Sequence, residues 1–205
     1  MEIDAKMVAQ LRAETGAPMM DCKAALQETK GDKEKAKDVL RKKGKQIADK
    51  AASREVKEGK LFTYQHFTGK IAVIVEIVCE TDFVAKNEEF NAFGKGACFT
   101  VAATVPPLAF VNREQVDKAL VDKEREIVLA QTLQTMKGKP QQVIDKAVEG
   151  RMEKFFAEKC LLEAQFVDPT GQGDAQTVEQ KRHQLVGKIG ENIQVRRFVR
   201  MELGG

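Results

Sequence analysis

The sequence contains very few of the side chains that carry out catalysis. Its 205 residues include two histidines, His66 and His183, one tyrosine, no tryptophan and a single serine, Ser53. Ser53 lacks the flanking glycines of a nucleophile elbow, and no H-x-x-x-H pair indicates zinc. The stretches that contain glycine and lysine match neither a phosphate-binding loop nor a dinucleotide fingerprint. We therefore predict no catalytic residues, no bound metal and no cofactor.

Signals for secretion or membrane insertion are also missing. The N-terminus, MEIDAKMV, lacks the basic region and apolar segment of a signal peptide. No apolar run approaches membrane-spanning length, since the stretch from Ile71 to Cys79 is interrupted by Glu76. The cysteines at positions 22, 79, 98 and 160 are far apart, which predicts small buried side chains rather than disulfides or metal ligands. These features predict a cytoplasmic protein without a membrane partner.

The charge balance gives no indication of a nucleic-acid partner. Lysine and arginine number 34 and aspartate and glutamate 31, so the formal net charge is only +3. The composition, 42% hydrophobic and 32% charged, is typical of a soluble globular protein. A chain of 205 residues can form a small domain together with a larger one.

Helical patterns come first along the chain. Three short helices are predicted within residues 1–43, with Asp4 and Asp32 suited to cap the first and the third, and with Gly44 after the end of the third. We interpret residues 1–43 as a three-helix docking domain. Residues 44–58 are rich in alanine and charge, and we interpret them as a linker between domains.

The pattern of residues 59–205 predicts a domain that contains both helices and strands. Two strands, Lys60 to Phe67 and Ile71 to Cys79, are separated by a short turn that favours a hairpin. A further strand is predicted from Leu161 to Phe166. Helices are predicted from Glu88 to Val105, from Arg113 to about Met136, from Pro140 to Glu158 and from Thr177 to Gly190. The final alternation predicts a strand with one apolar face, formed by Ile193, Val195, Val199, Met201 and Leu203. The fold class is therefore α+β, with a mostly antiparallel sheet of three or four strands packed with helices.

The stretch ETDFVAKNEEF, residues 80–90, places two large apolar side chains in a connection that is normally exposed. Asn87 is a good N-cap for the helix that follows. Phe83 and Val84 therefore lie between a strand end and a helix start. On a short anchored loop, an aromatic ring suits a binding hot spot. Alternatively, Phe83 begins a helical turn and packs on the local core. Periodicity does not decide between these two interpretations.

Four stretches of the sequence resemble bacterial elongation factor Ts in the order expected for that family. They are LRAETGAPMMDCKAAL at residues 11–26, VCETDFVAKNEEF at 78–90, AVEGRMEKF at 147–155 and GKIGENIQVRRF at 187–198. The resemblance implies a guanine-nucleotide exchange factor, not an enzyme with covalent chemistry. Its partner would be elongation factor Tu, in the GDP-bound and the nucleotide-free state. It also implies that the N-terminal domain is of the ubiquitin-associated type.

The same resemblance implies roles for eight residues. Thr81, Asp82, Phe83 and Val84 would reach towards the magnesium and phosphate site of elongation factor Tu, where Phe83 displaces side chains of the partner near the ion. A docking surface would be formed by Leu11, Arg12, Met19 and Met20. Pro18 stands where the family often has glycine, which should stiffen this turn without removing a contact.

The length of the chain resembles the short form of the family, with one copy of the core module where longer members have two. The strand from Ile71 is apolar on both faces and so needs cover on both sides. We therefore predict a homodimer that pairs the sheets of two copies.

Two alternatives rest on parts of the chain. A basic RNA-binding accessory protein of the translation apparatus would use residues 41–60 together with Arg196, Arg197 and Arg200, although acids are interspersed and aromatic residues make up only 6% of the chain. An adaptor that binds ubiquitin would use the first three helices alone and leaves the larger domain unexplained. We expect no direct contact with nucleic acid.

Overall fold

The computed structural model describes residues 3–169, 171 and 175–204. Over these residues the chain forms eight α-helices, two 3-10 turns and one three-stranded antiparallel sheet, which confirms the predicted α+β class. None of the helices within these residues is both long enough and apolar enough to span a membrane.

The N-terminal helices form a small core of their own, as predicted. They are α1 (Ala5–Thr15), α2 (Met19–Glu28) and α3 (Lys33–Ala51). The side chain of Asp4 accepts a hydrogen bond from the amide of Lys6, and that of Asp32 accepts one from the amide of Lys35, so both predicted caps are confirmed. This helical module has a core of buried side chains from all three helices: Val8, Leu11, Cys22, Ala25, Leu26, Ala36 and Leu40.

The predicted end of the third helix at Gly44 is wrong. Helix α3 continues to Ala51, and Gly44 is buried inside it. Tertiary packing extends the helix, because residues 44–51 pack against helix α8 (Val178–Ile189). This packing outweighs the low helix propensity of glycine. Residues 52–57 alone connect α3 to the sheet. The division of the chain into domains at residues 43 and 58 stays a prediction.

The sheet consists of β1 (Glu58–Gln65), β2 (Ile71–Cys79) and β3 (Gln194–Glu202), with β2 in the centre. Its inner face packs on helix α5 (Glu88–Ala103) and contributes Phe62, Val73, Val75 and Ile77 to the main core. The predicted hairpin between the first two strands is confirmed, and Phe62 pairs with Val75 in its register.

A β-bulge in β3 changes which of its residues face the core. Ile77 pairs with Val195 but Glu76 pairs with Arg197, so Arg196 is an extra residue. Val195 is buried, whereas Val199 beyond the bulge is exposed. The prediction that the apolar residues of this strand share one face is therefore wrong, since an extra residue reverses the alternation.

The other helices cover the inner face of the sheet or extend away from it. They are α4 (Asp82–Lys86), α5, α6 (Lys118–Thr135), α7 (Gln141–Lys159) and α8. Helices α6 and α7 form a hairpin with its own apolar core. The predicted strand from Leu161 to Phe166 is wrong, because Leu161–Glu163 is a 3-10 turn that enters the main core. A short apolar run of this kind does not reveal by periodicity which buried conformation it adopts.

An ion-pair cluster on α8 fixes the start of β3. Arg182 donates to both carboxylate oxygens of Glu179, at 2.7 and 2.6 Å, and its other nitrogen donates to the carbonyl of Ile193 at 2.8 Å. His183 Nε2 lies 2.9 Å from the same carboxylate. Burial opposes ionisation of Glu179, but the hydrogen bonds from Arg182 and His183 outweigh burial and lower the pKa of its carboxyl to about 2.

We expect Glu179 to make the fold sensitive to acid. Because the folded-state pKa lies below the usual value of 4.5, the stabilisation is fully present above that value and is lost as the pH falls towards 2. Glu179→Gln should lower the free energy of unfolding near neutral pH by about 1.5–3 kcal/mol, the range for hydrogen bonds to charged groups. Urea unfolding at several pH values measures this difference, which should shrink below pH 4.5. Glu126→Gln, at an exposed position on α6, is the control and should change little.

Candidate functional site

The stretch at residues 80–86 forms a short helix that separates its two apolar side chains. Thr81 caps α4, accepting a hydrogen bond from the amide of Val84 at 3.4 Å. Val84 is buried in the main core, whereas Phe83 is 80% exposed. Each of the two interpretations of this stretch is thus partly met: a helical turn does begin here, but the ring of Phe83 points outward.

A carboxylate from a distant part of the chain fixes this turn. Glu191, in the loop between α8 and β3, accepts two hydrogen bonds from Thr81, one from its amide at 3.1 Å and one from its hydroxyl at 2.7 Å. Since the hydroxyl also accepts from Val84, both its donor and its acceptor capacity are used. Charge-assisted bonds of this kind hold geometry more firmly than neutral ones. The backbone that carries Phe83 is therefore fixed before any partner binds.

A second set of polar contacts ties the same turn to the end of α3. Glu80 accepts from Arg54 at 3.1 Å and from the amide of Asn192. The buried side chain of Asn192 donates in turn to the carbonyl of Arg54 at 2.8 Å and to that of Ala52 at 3.3 Å. Three chain segments that are far apart in sequence therefore meet behind the Phe83 turn.

The groups next to Phe83 offer charge but no reactive chemistry. Lys86 donates to Asp82 at 2.7 Å, and this hydrogen bond lowers the pKa of the Asp82 carboxyl. Behind the turn, burial raises the pKa of the Cys79 thiol to about 11, so the thiol stays protonated at neutral pH. An exposed aromatic ring beside a fixed carboxylate is suited to contact another surface rather than to transfer a group.

The second predicted set of contact residues surrounds the turn between α1 and α2. Arg12, Met19 and Met20 are all exposed there, and Met20 is 73% exposed. Leu11 is different, because its side chain is completely buried in the core of the helical module. Leu11 therefore holds the helices together, and the structure leaves Arg12, Met19 and Met20 on the outer surface.

A cleft of about 1090 Å³ is lined by chain segments next to both predicted contact regions, but by none of the eight predicted contact residues themselves. One side is formed by the C-terminal end of α1, from Ala13 to Gly16, and the other by Lys86 and the first turn of α5. Lys188 of α8 pairs with Glu89 and lies near Gly16, so it joins the two sides.

The histidine and serine side chains that could act in catalysis lie on different elements of the fold. His66 lies in the β1–β2 turn and bonds Thr68, His183 lies within α8, and Ser53 is exposed after α3. Among the described residues no group of three or more histidine, cysteine, aspartate or glutamate side chains could hold a metal ion. Among the arginines of the RNA-binding alternative, Arg196 and Arg197 share the single carboxylate of Glu76, and Arg200 pairs with Glu202, so part of their positive charge is offset.

Sequence reasoning missed the residues that support the turn. Glu80, Glu191 and Asn192 are polar residues in short connections, where such residues are common. The one available signal was the sequence ENI after Gly190, where a polar pair precedes a buried residue. Nothing local indicates that Glu191 meets Thr81, 110 residues earlier in the chain.

Comparison with known proteins identifies the family. The family model described as "Elongation factor TS" matches residues 5–173. The chain is 49% identical to "Elongation factor Ts" of Thermoanaerobacter sp. (strain X514) over 203 residues, covering 98% of this chain and 95% of that relative. It is 48% identical over 204 residues to "Elongation factor Ts" of Fervidobacterium nodosum, covering 100% of both chains.

We expect Glu191→Ala to loosen the Phe83 turn without unfolding the protein. Loss of the carboxylate leaves the Thr81 amide and hydroxyl without their partner, which should cost about 1–3 kcal/mol of local stability. Hydrogen exchange at the amides of residues 81–84 measures this change, and protection should fall about ten- to a hundredfold. Glu158→Ala, at an exposed position on α7, is the control and should leave that protection unchanged. Unchanged protection in Glu191→Ala itself would contradict the supporting role of this residue.

Proposed function

Because this chain belongs to the elongation factor Ts family and corresponds to its short form, we propose that it is a guanine-nucleotide exchange factor for elongation factor Tu. It binds elongation factor Tu in the GDP-bound state and promotes GDP release during translation elongation. It does so by disturbing the magnesium and phosphate site of its partner, and it carries out no covalent chemistry. The observation that supports this proposal most is the 80% exposed ring of Phe83 on a turn held by Glu191.

Nucleotide exchange requires only that the factor binds the nucleotide-free and the GDP-bound partner with different affinities. GTP-binding proteins hold GDP largely through magnesium and through backbone donors around the phosphates. A factor that binds the nucleotide-free partner more tightly than the GDP-bound one weakens GDP binding by the same factor, because coupling between two ligands is reciprocal. This mechanism needs no general acid, base or metal of its own. It agrees with the positions of His66, His183 and Ser53, which lie in the β1–β2 turn, in α8 and after α3.

Phe83 supplies part of that difference. Burying a phenylalanine side chain is worth about 1.5–3 kcal/mol, which corresponds to roughly ten- to a hundredfold in affinity. That energy is available only if the ring is exposed in the free protein and already positioned, and both conditions hold here. Asp82 and the buried Val84 hold the ring on its turn. Further binding energy has to come from the helical module, where Arg12, Met19 and Met20 form the docking surface.

The outer face of the sheet supports a homodimer. Leu61, Ile74, Val199 and Met201 are exposed there, on three adjacent strands. Monomeric proteins seldom expose contiguous apolar patches of this kind. A second copy with the same face would cover the patch by sheet-on-sheet packing. We place the protein in the cytoplasm, where elongation factor Tu acts, without a role for direct nucleic-acid binding.

We expect Phe83→Ala to slow GDP release by roughly ten- to a hundredfold while the fold remains intact, because the ring makes few contacts within its own chain. Stopped-flow release of a fluorescent GDP analogue from elongation factor Tu measures the rate. Phe67→Ala is the matched control, since Phe67 is also an exposed phenylalanine, at 91%, but lies in the β1–β2 turn. Exchange by Phe83→Ala at the wild-type rate would refute the proposed role of the ring.

We expect the wild-type protein to sediment as a dimer at micromolar concentration. Val199→Lys should yield monomers, because it places a charge at the centre of the apolar sheet face. Leu133→Lys, at an exposed apolar position on α6, should leave the mass unchanged. Analytical ultracentrifugation distinguishes the two states, and a monomeric wild-type protein would rule out the dimer.

A further inference from the structure

Helix α3 belongs to two hydrophobic cores at once. Ala36 and Leu40 in its first half pack in the helical module. Ala48 and Ala51 in its second half pack in the main core under the sheet. The helix is continuous between these pairs. The orientation of the helical module therefore depends on how the middle of α3 is held.

The middle of α3 touches α8 through two glycines. A Cβ on Gly44 would lie 3.1 Å from the carbonyl oxygen of His183, and a Cβ on Gly187 would lie 3.1 Å from the Cα of Gly44. Neither glycine has a positive φ, so both positions are limited by space for a side chain rather than by backbone conformation. Side chains usually keep helix axes about 8–10 Å apart, and a large side chain here would push the two helices away from each other.

The end of α3 is joined to the Phe83 turn. The carbonyls of Ala52 and Arg54 accept hydrogen bonds from Asn192, and Arg54 donates to Glu80, the residue before Thr81. Helix α3 thus runs from the core of the helical module past the contact between the two glycines, and the residues that follow its end support the Phe83 turn. A change in the contact between α3 and α8 would move the docking surface relative to the ring.

We propose that Gly44 and Gly187 are positioning residues for nucleotide exchange, an inference that rests on the proposed function. Their close contact fixes the helical module relative to Phe83, so that both regions meet one elongation factor Tu molecule in register. When two contact regions are held on a rigid frame, binding involves no further entropic cost of ordering one relative to the other. Once the first region has bound the partner, the second contact forms within the same complex. The docking surface binds the partner, and the fixed geometry brings the ring to the nucleotide site.

The test replaces each glycine by a large side chain. Gly44→Leu and Gly187→Leu keep the docking surface and Phe83 but separate the two helices. Misplacement of a contacting group by about 1 Å can cost a hundredfold in rate, so the maximal rate of GDP release should fall about tenfold or more. The half-saturating concentration of the factor should change much less, because docking itself is retained. Gly44→Ala, which requires a shift of only a few tenths of an ångström, should stay close to the wild type.

Gly150→Leu is the matched control. Gly150 lies inside α7, and apart from its chain neighbours and the adjacent backbone of α7, no atom of the described residues lies within 4 Å of a Cβ built there. This variant should exchange nucleotide like the wild type. If Gly44→Leu and Gly187→Leu, folded as judged by circular dichroism, also exchange at the rate of Gly150→Leu, the proposal is wrong.

A second measurement does not depend on exchange activity. Nitrogen-15 relaxation of the wild-type protein should give the same rotational correlation time for amides in α1 and in β2, whereas in the leucine variants α1 should tumble faster. Independent tumbling of the two regions in the wild type would overturn the proposal even if no variant folds. Failure of the wild-type protein to accelerate GDP release would instead refute the proposed function, and the relaxation data would still decide whether the glycines fix the helical module.

Discussion

Two hydrogen bonds from Thr81 to the carboxylate of Glu191 determine which side chains of residues 81–84 face solvent and which face the core. With the amide and the hydroxyl of Thr81 both engaged, α4 begins at one defined residue. Val84 then enters the core and Phe83, one residue earlier, faces solvent. Successive residues on a helix point in different directions, so the start of the helix determines which of the two apolar side chains is available to a partner.

Two groups of exposed apolar side chains are proposed as contact surfaces. Phe83 and Met20 each lie in the first turn of a helix, where a large contact area can be presented at a low entropic cost. Ile74 and Val199 belong instead to a broad sheet face. Turns of this kind suit the recognition of a separate partner, whereas a flat face that runs across three strands suits a second copy of the same chain.

Local signals predicted several elements well. Asp4, Asp32 and Asn87 all cap the helices expected from their positions, and β2 has its predicted ends at Ile71 and Cys79. These features depend on short-range hydrogen bonds and on strand periodicity. The errors at Gly44, at residues 161–166 and at the bulge of β3 have one cause in common. In each case packing or pairing with a distant segment decided the conformation.

The sequence by itself determined the α+β class, the helix caps, the hairpin of β1 and β2 and, through its motifs, the stretch from Thr81 to Val84 as the region to inspect. These properties follow from neighbours along the chain or from similarity to a family. Only the tertiary structure decided that Phe83 is exposed and Leu11 buried, and that Glu191 supports the Phe83 turn. Exposure and long-range hydrogen bonds depend on which segments meet in space, and the contact between Thr81 and Glu191 joins residues 110 positions apart.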